Sequence, residues 1–354
     1  MIGLDAGNSF DRPPTGVAVY ARNLAWELSR IRPDVRFEWY LRSNRYFRSY
    51  RTRLPWNVRR RLLESPGLRY RSRRLRLFHG LNQRLPAAIK APKVATFHDL
   101  FALTGAYATA DFRTRFASLA AETASQCDHI IAVSGHTADQ VAQHLGFPRS
   151  RITVVHHGVE ALEAPPRPRC DEILRSIGVS QPFVLHIGAL QVRKNVERVV
   201  AAFEAARPDG QLVLAGSRGF GAEAILERVE RSAARRHIVL AGHVDDDKRT
   251  ALYAGASALL FPSLEEGFGL PVIEAFSVGL PVVASNVSAL PEVAGDAAIL
   301  VNPLDSDEIA AALTRVLDDS DLRSQLRRKG KARAKHFTWE RSAAETWRVY
   351  ERLL

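Results

Sequence analysis

The feature that most constrains this chain is a recurrence of short apolar runs, each ending in glycine, proline or a small polar residue. In the second half they read FVLHIGAL, QLVLAGS, HIVLAGHV, ALLFPS, PVVAS and AAILVNP. Runs of roughly four to eight apolar residues without polar alternation suit strands buried on both faces. Helix-period segments separate most of them, so the pattern predicts βα units and a parallel sheet covered on both sides. The first half repeats the scheme, with strands expected at Ile2–Ala6, Arg36–Leu41, Leu75–His79, Lys93–Phe97, His129–Val133 and Ile152–His156. Its clearest helices are Val17–Arg30, Phe112–Ser125 and Thr137–Leu145, while residues 42–73 have no clean period and read as irregular or short-helical.

A chain of 354 residues is too long for one ordinary core and suits two domains. The stretch ALEAPPRPRC, residues 161–170, carries Pro165, Pro166 and Pro168 without an apolar face and reads as a linker. Beyond Asp318 the pattern is wholly helical and ends in FTWERSAAETWRVYERLL, a helix long enough to cross back to the first domain. The expected division is 1–164, 165–335 and a terminal helix at 336–354. No solenoid-period repeat is present.

Charge is distributed unevenly. Residues 1–100 hold 19 Arg and 2 Lys against 7 acidic side chains, a balance of +14, so the rest of the chain is slightly negative. Between Arg42 and Arg76, 13 Arg face one acid, Glu64, with Tyr46, Phe47, Tyr50, Trp56 and Tyr70 interspersed. Such a segment suits an anionic membrane surface or a phosphate-bearing polymer, although a solvated arginine-rich face is the simpler reading. No nucleic-acid-binding motif accompanies the charge, and nucleic acid is not an expected partner. No apolar run reaches the roughly 18 residues of a spanning helix. The start, MIGLDAG, reads as a strand rather than a signal segment, and Cys127 and Cys170 lie in no metal or redox pattern. A cytoplasmic location is expected, with peripheral contact at the inner membrane face through the Arg42–Arg76 region.

In open parallel sheets ligands collect at the carboxyl ends of strands. SLEEGFGLPVIEA follows the strand ALLFP and opens a helix there. In Gly267-Phe268-Gly269-Leu270 the two glycines let the backbone approach a ligand, free amides at a helix start can bind anionic groups, and Pro271 suits a first turn. Glu266 and Glu274, with seven residues between them, can each clamp hydroxyls without a metal; alone, they could equally complement a helix dipole. IGALQVRKN places Arg193 and Lys194 after another strand, a fork and a point charge suited to a diphosphate. In DAGNSFDRPPTGVAVY, Gly16 opens the first long helix behind a Pro13–Pro14 loop; no GxGxxG accompanies it, and a plain turn glycine is as good a reading. KVATFHDLFAL sets His98 and Asp99 past a strand end, where a histidine can bond a sugar hydroxyl or carry a proton, although most lone histidines are structural. His156 and His157 have no third ligand spaced for a metal, and Asp245–Asp247 reads as a helix cap. No metal site is expected.

These motifs resemble the family 4 glycosyltransferases of the GT-B fold, close to bacterial mannosyltransferases of surface-polysaccharide assembly. The likeness spans nearly the whole chain through TGVAVYARNL, TFHDL, HIIAVSGHT, RKN, HVDDDKRTALYAGA, PSLEEGFGLPVIEA, LPVVASNVSALPEVAGDAAILVNP and FTWERSAAETW. It implies two Rossmann-like α/β domains flanking a deep cleft, the first binding acceptor and the second binding a nucleotide-sugar donor. By the resemblance, Glu274 would bind the ribose hydroxyls, and Glu266 with the amides of Gly267 to Leu270 would hold the donor sugar and phosphates. Arg193 and Lys194 would neutralise the diphosphate, with Gly16 approaching from the other domain. His98 would touch the hexose near its C6 hydroxyl, and the loop of His243 and Val244 would border the base. His157-Gly158 stands where relatives usually carry Asn-Gly, so the role of position 157 is open.

The resemblance implies a retaining, metal-independent hexosyltransferase needing no cofactor beyond its nucleotide-sugar substrate. Mannose from GDP-mannose is the first donor expected, passed to a saccharide or lipid-linked acceptor in cell-surface glycan synthesis. UDP-glucose or UDP-N-acetylglucosamine is the alternative donor. A non-enzymatic protein that binds anionic surfaces or nucleic acid is the alternative class.

Overall fold

The computed structural model describes residues 1–11, 15–65 and 67–354, so the expected Pro13–Pro14 loop lies outside the described residues. The chain divides into two compact units. Unit 1 comprises residues 1–105, 110–158 and 337–354, and unit 2 comprises 106–109 and 159–336. The boundary thus falls after Gly158 rather than after residue 164, because Gly158 is packed into unit 1 by the returning terminal segment. A Cβ at Gly158 would lie 2.2 Å from the Trp339 backbone nitrogen, so only glycine fits there.

Unit 1 contains β1 (Ile2–Asp5), β2 (Phe37–Leu41), β3 (Val58–Leu62), β4 (Leu77–Gly80), β5 (Lys93–Phe97), β6 (His129–Ala132) and β7 (Ile152–Val154). They form one parallel sheet in the order β3-β2-β1-β4-β5-β6-β7. The central strands are buried along nearly their whole length, although Glu38 and His79 interrupt the apolar runs of β2 and β4. The helix Gly16–Ile31 starts where Thr15 Oγ1 accepts from Ala18 N at 3.2 Å, and its buried stripe includes Tyr20, Leu24 and Leu28. The helix Trp339–Glu351 buries Trp339, Trp347 and Tyr350 in the same core, with Leu4, Trp39 and Leu77. The helical return to the first unit therefore follows from these aromatics.

The Arg-rich stretch is short-helical in part, as expected, but also forms an unexpected strand. It contains the helix Ser43–Ser49 and a strand, β3, that pairs in register with β2 along Phe37↔Val58 to Leu41↔Leu62. The sequence VRRRL lacks the apolar run of a buried strand because β3 is the sheet edge, where charged side chains are tolerated on both faces. The expected linker is also shorter than read, since Arg167–Ser176 is helical with Pro168 in its first turn.

Unit 2 holds β8 (Phe183–Ile187), β9 (Gln211–Ala215), β10 (Ile238–Gly242), β11 (Ala258–Phe261), β12 (Val282–Ser285) and β13 (Ile299–Val301). All six expected runs are strands, parallel in the order β10-β9-β8-β11-β12-β13. In a doubly wound sheet the order reverses between the first and fourth strands, here β8 and β11, and a crevice opens at their carboxyl ends. No helix among the described residues is long and apolar enough to cross a membrane.

Candidate active site

The loops leaving β8 and β11 meet at that reversal point. Lys194 follows β8 in a short helical turn, and its Nζ donates to Glu266 Oε1 on the loop after β11. Arg193 Nη1 donates to Glu266 Oε2 at 3.2 Å and to the Glu265 carbonyl at 3.0 Å. All three charged groups are buried or nearly so, with side chains 14% exposed for Arg193, 8% for Lys194 and 7% for Glu266. Burial pushes the Glu266 carboxyl up, but Lys194 and Arg193 more than offset it and hold it below its ordinary value.

Asn195 fixes this junction. It sits in the left-handed region at φ 60°, and its Nδ2 donates to the carbonyls of Pro262 at 2.9 Å and Pro303 at 2.6 Å. It thereby ties the loop after β8 to those after β11 and β13. Nothing in the sequence alone points to this bridging role for Asn195. Ser288 on the loop after β12 adds a brace, its Oγ accepting from Glu266 N at 3.2 Å.

The segment Gly267–Leu270 runs from Glu266 into the helix Leu270–Val278. Gly269, the residue before the first turn, has φ 104°, and a Cβ there would lie 2.5 Å from Leu290 Cδ2. That helix has neither a side-chain cap nor an acidic residue in its first turn. Its amino end is therefore electrostatically suited to an anion. One turn on, Glu274 accepts from Tyr253 Oη at 2.8 Å and pairs with Arg249. Arg249 Nη2 also donates to Asp246 at 3.1 Å. Burial raises the Glu274 carboxyl, with Arg249 and Tyr253 opposing, and the net direction is upward.

Arg249 and Tyr253 are missing from the sequence reading. They lie on the helix Asp246–Gly255, capped by Asp245 as expected, and only i,i+4 spacing on that helix hinted that both could face one partner. Val244 sits between β10 and that helix.

Gly16 and His98 belong to unit 1. Gly16 is the exposed first residue of its helix, as expected. His98 is buried, and its Nε2 lies 3.0 Å from the Leu81 carbonyl, which can only accept, so Nε2 carries the proton and Nδ1 is left as an acceptor. Burial lowers its pKa to about 4, so the imidazole is neutral at physiological pH. His157 stacks on it at 5.4 Å with the rings 8° from parallel, and Tyr20 meets both edge-on at 4.6 and 4.8 Å. Position 157 is thus filled by packing within unit 1. Among the described residues, no three His, Cys, Asp or Glu side chains gather as a metal site.

Comparison with known proteins places this geometry in a family. Residues 173–333 match the family described as Glycosyl transferases group 1, and residues 14–161 match Glycosyltransferase Family 4. The O-antigen chain mannosyltransferase B of Escherichia coli is 32% identical over 284 residues, covering 78% of this chain and 74% of that protein. Sucrose-phosphate synthase from Thermosynechococcus elongatus shares the fold with a TM-score of 0.77 at 21% identity, over 99% of this chain and 98% of the other. Anabaena HepE in complex with UDP-glucose does so with a TM-score of 0.76 at 17% identity, over 99% and 98%. The chain belongs to the family 4 glycosyltransferases of the GT-B fold and is a hexosyltransferase.

Proposed function

We propose that the chain moves a hexose from a nucleoside-diphosphate sugar to a saccharide or lipid-linked acceptor with retention of anomeric configuration and without a metal. The observation that carries this reading is the buried Arg193–Lys194–Glu266 cluster at the reversal point of unit 2. Its two buried cations suit a diphosphate that no metal accompanies, and Glu266 holds both in place before the donor arrives. Glu274, oriented by Arg249 and Tyr253, accepts the ribose hydroxyls. Its backbone neighbours Gly267–Leu270 receive phosphate and sugar oxygens, and Val244 borders the base. His98, as a neutral acceptor, takes a hydrogen bond from a sugar hydroxyl rather than acting as acid or base.

In the transfer step the C1–O bond to the diphosphate breaks and a C1–O bond to the acceptor forms on the same face. The acceptor proton passes to the departing phosphate oxygen. The cations of Arg193 and Lys194 stabilise the charge that develops on that leaving group. GDP-mannose is the favoured donor, since the relative above is a mannosyltransferase. UDP-glucose is the second reading, supported by the HepE complex.

Incubation with GDP-mannose, UDP-glucose and UDP-N-acetylglucosamine, followed by nucleotide release and NMR of the product anomer, tests the proposal. Release from one donor with an α-linked product is expected; an inverted product ends the retaining account.

A further inference from the structure

The amino-terminal edge of the unit 1 sheet carries chemistry that the donor site does not use. The strand starts of β1, β2 and β3 and the segment entering β4 bound a cavity of about 700 Å³ lined by Arg36, Trp56, Arg59, Arg61 and Arg74 among others. It lies at the opposite pole of this sheet from the strand carboxyl ends. Its one carboxylate, Glu38, is buried and already taken, accepting from Arg61 Nε at 2.8 Å and from Tyr40 Oη at 2.8 Å. Arg36, Arg59 and Arg74 are exposed, and among the described residues no carboxylate pairs with them. The cavity is therefore a cationic groove in which, among the described residues, only Arg61 has a carboxylate partner.

Apolar exposure coincides with this charge. The four most exposed large aromatics among the described residues are Trp56 at 82%, Phe47 at 75%, Tyr70 at 69% and Tyr50 at 61%, all within residues 47–70. Residues 42–76, with 13 Arg and the single acid Glu64, carry +12, the formal charge of the entire chain, so everything else balances to zero. Edge protection against strand pairing accounts for charges on β3. It gives no reason to leave the Trp56 indole, which lines the groove, and the Tyr50 ring, packed on Arg60, in water. An edge strand presents both its faces to whatever meets that edge, and here Arg59 and Arg61 project on one face and Arg60, stacked 4.8 Å from the Tyr50 ring, on the other.

We propose that this edge docks unit 1 onto an anionic phospholipid surface, with headgroup phosphates in the groove of Arg36, Arg59 and Arg74 and with Trp56 at the headgroup level. Phosphate answers the unpaired guanidiniums. Amphipathic rings settle at the membrane–water interface. A nucleic-acid polyanion would satisfy the charge, but the extended apolar exposure favours lipid. The inference is independent of the donor reading, because it uses none of its residues.

The test is flotation of the full chain with vesicles of phosphatidylcholine alone or mixed equally with phosphatidylglycerol, together with tryptophan emission. Binding is expected only to the mixed vesicles, with a blue shift that Trp56→Phe abolishes. The double variant Arg59→Glu, Arg74→Glu should lose at least tenfold in vesicle affinity while transfer to a soluble acceptor and the circular dichroism spectrum are unchanged. Equal binding to both vesicle types, wild-type binding by the double variant, or a shift that survives Trp56→Phe would overturn the proposal. So would binding of inorganic phosphate or an RNA oligomer at these arginines without vesicle binding.

Discussion

Glu266 and Glu274 differ in how their charge is supported. Glu266 faces two buried cations and is held below its ordinary pKa, whereas Glu274 faces one guanidinium and a phenol and is held above it. A carboxyl whose folded value is raised costs stability once the pH exceeds that value, because the unfolded chain ionises it more readily. Replacing it is therefore predicted to help the fold and harm the function. Glu274→Gln should raise the thermal midpoint at neutral pH, since Arg249 keeps Asp246, while the donor KM rises at least tenfold. A lowered midpoint with unchanged KM would contradict this role. Lys194→Ala should act differently, because in the proposed reaction Lys194 stabilises the leaving group in the transition state. Its kcat should fall at least tenfold, about 1.4 kcal/mol, and steady-state kinetics separate this from a binding defect. Both glutamates and both cations were legible from strand-end placement. Arg249 and Tyr253 were not, because their partner is fixed only once two helices are set side by side.

Loops and helix starts hold the site, and their backbone geometry is what the sequence shows least. Gly269 at φ 104° and Asn195 at φ 60° occupy a region that side chains rarely adopt, and each stands where a strand-end loop turns into a helix. Gly269→Ala is predicted to cost about 1–3 kcal/mol in a urea titration and to weaken donor binding together with stability. Wild-type stability would mean that the turn relaxes freely. Strands buried on both faces were readable from their apolar runs. β3 was not, because an edge strand made of VRRRL owes its conformation to pairing with β2 rather than to its own pattern. The terminal helix was readable from its aromatics, but the requirement for glycine at 158 emerges only from the approach of Trp339.

On the scale of the whole molecule the two units differ in acid sensitivity. Burial lowers His79 to about 3 and His98 and His129 to about 4, and drives His157 down as well, all in unit 1; unit 2 has only His186, at about 4, among the shifted histidines. A depressed histidine gives stability that is complete above its unfolded value, near 6.5, and is lost as the pH falls toward the folded value. Each such group withdraws about 1.4 kcal/mol per pH unit across that window. Unit 1 should therefore open first on acidification between about pH 6.5 and 4. Every tryptophan (Trp26, Trp39, Trp56, Trp339 and Trp347) lies in unit 1, so fluorescence reports it alone. Tryptophan emission should shift red at a higher pH than the loss of far-ultraviolet circular dichroism; coincident transitions would show that the histidines do not set the order.

In the proposed reaction unit 2 holds a nucleoside-diphosphate sugar through its own cations and carboxylates. Calorimetric titration of GDP-mannose and UDP-glucose into the protein, in excess chelator, tests this most directly. Saturable binding of one donor, lost in Lys194→Ala and weakened in Glu274→Gln, is the predicted result. Binding that returns only when a divalent ion is added, or that is indifferent to both substitutions, would contradict it.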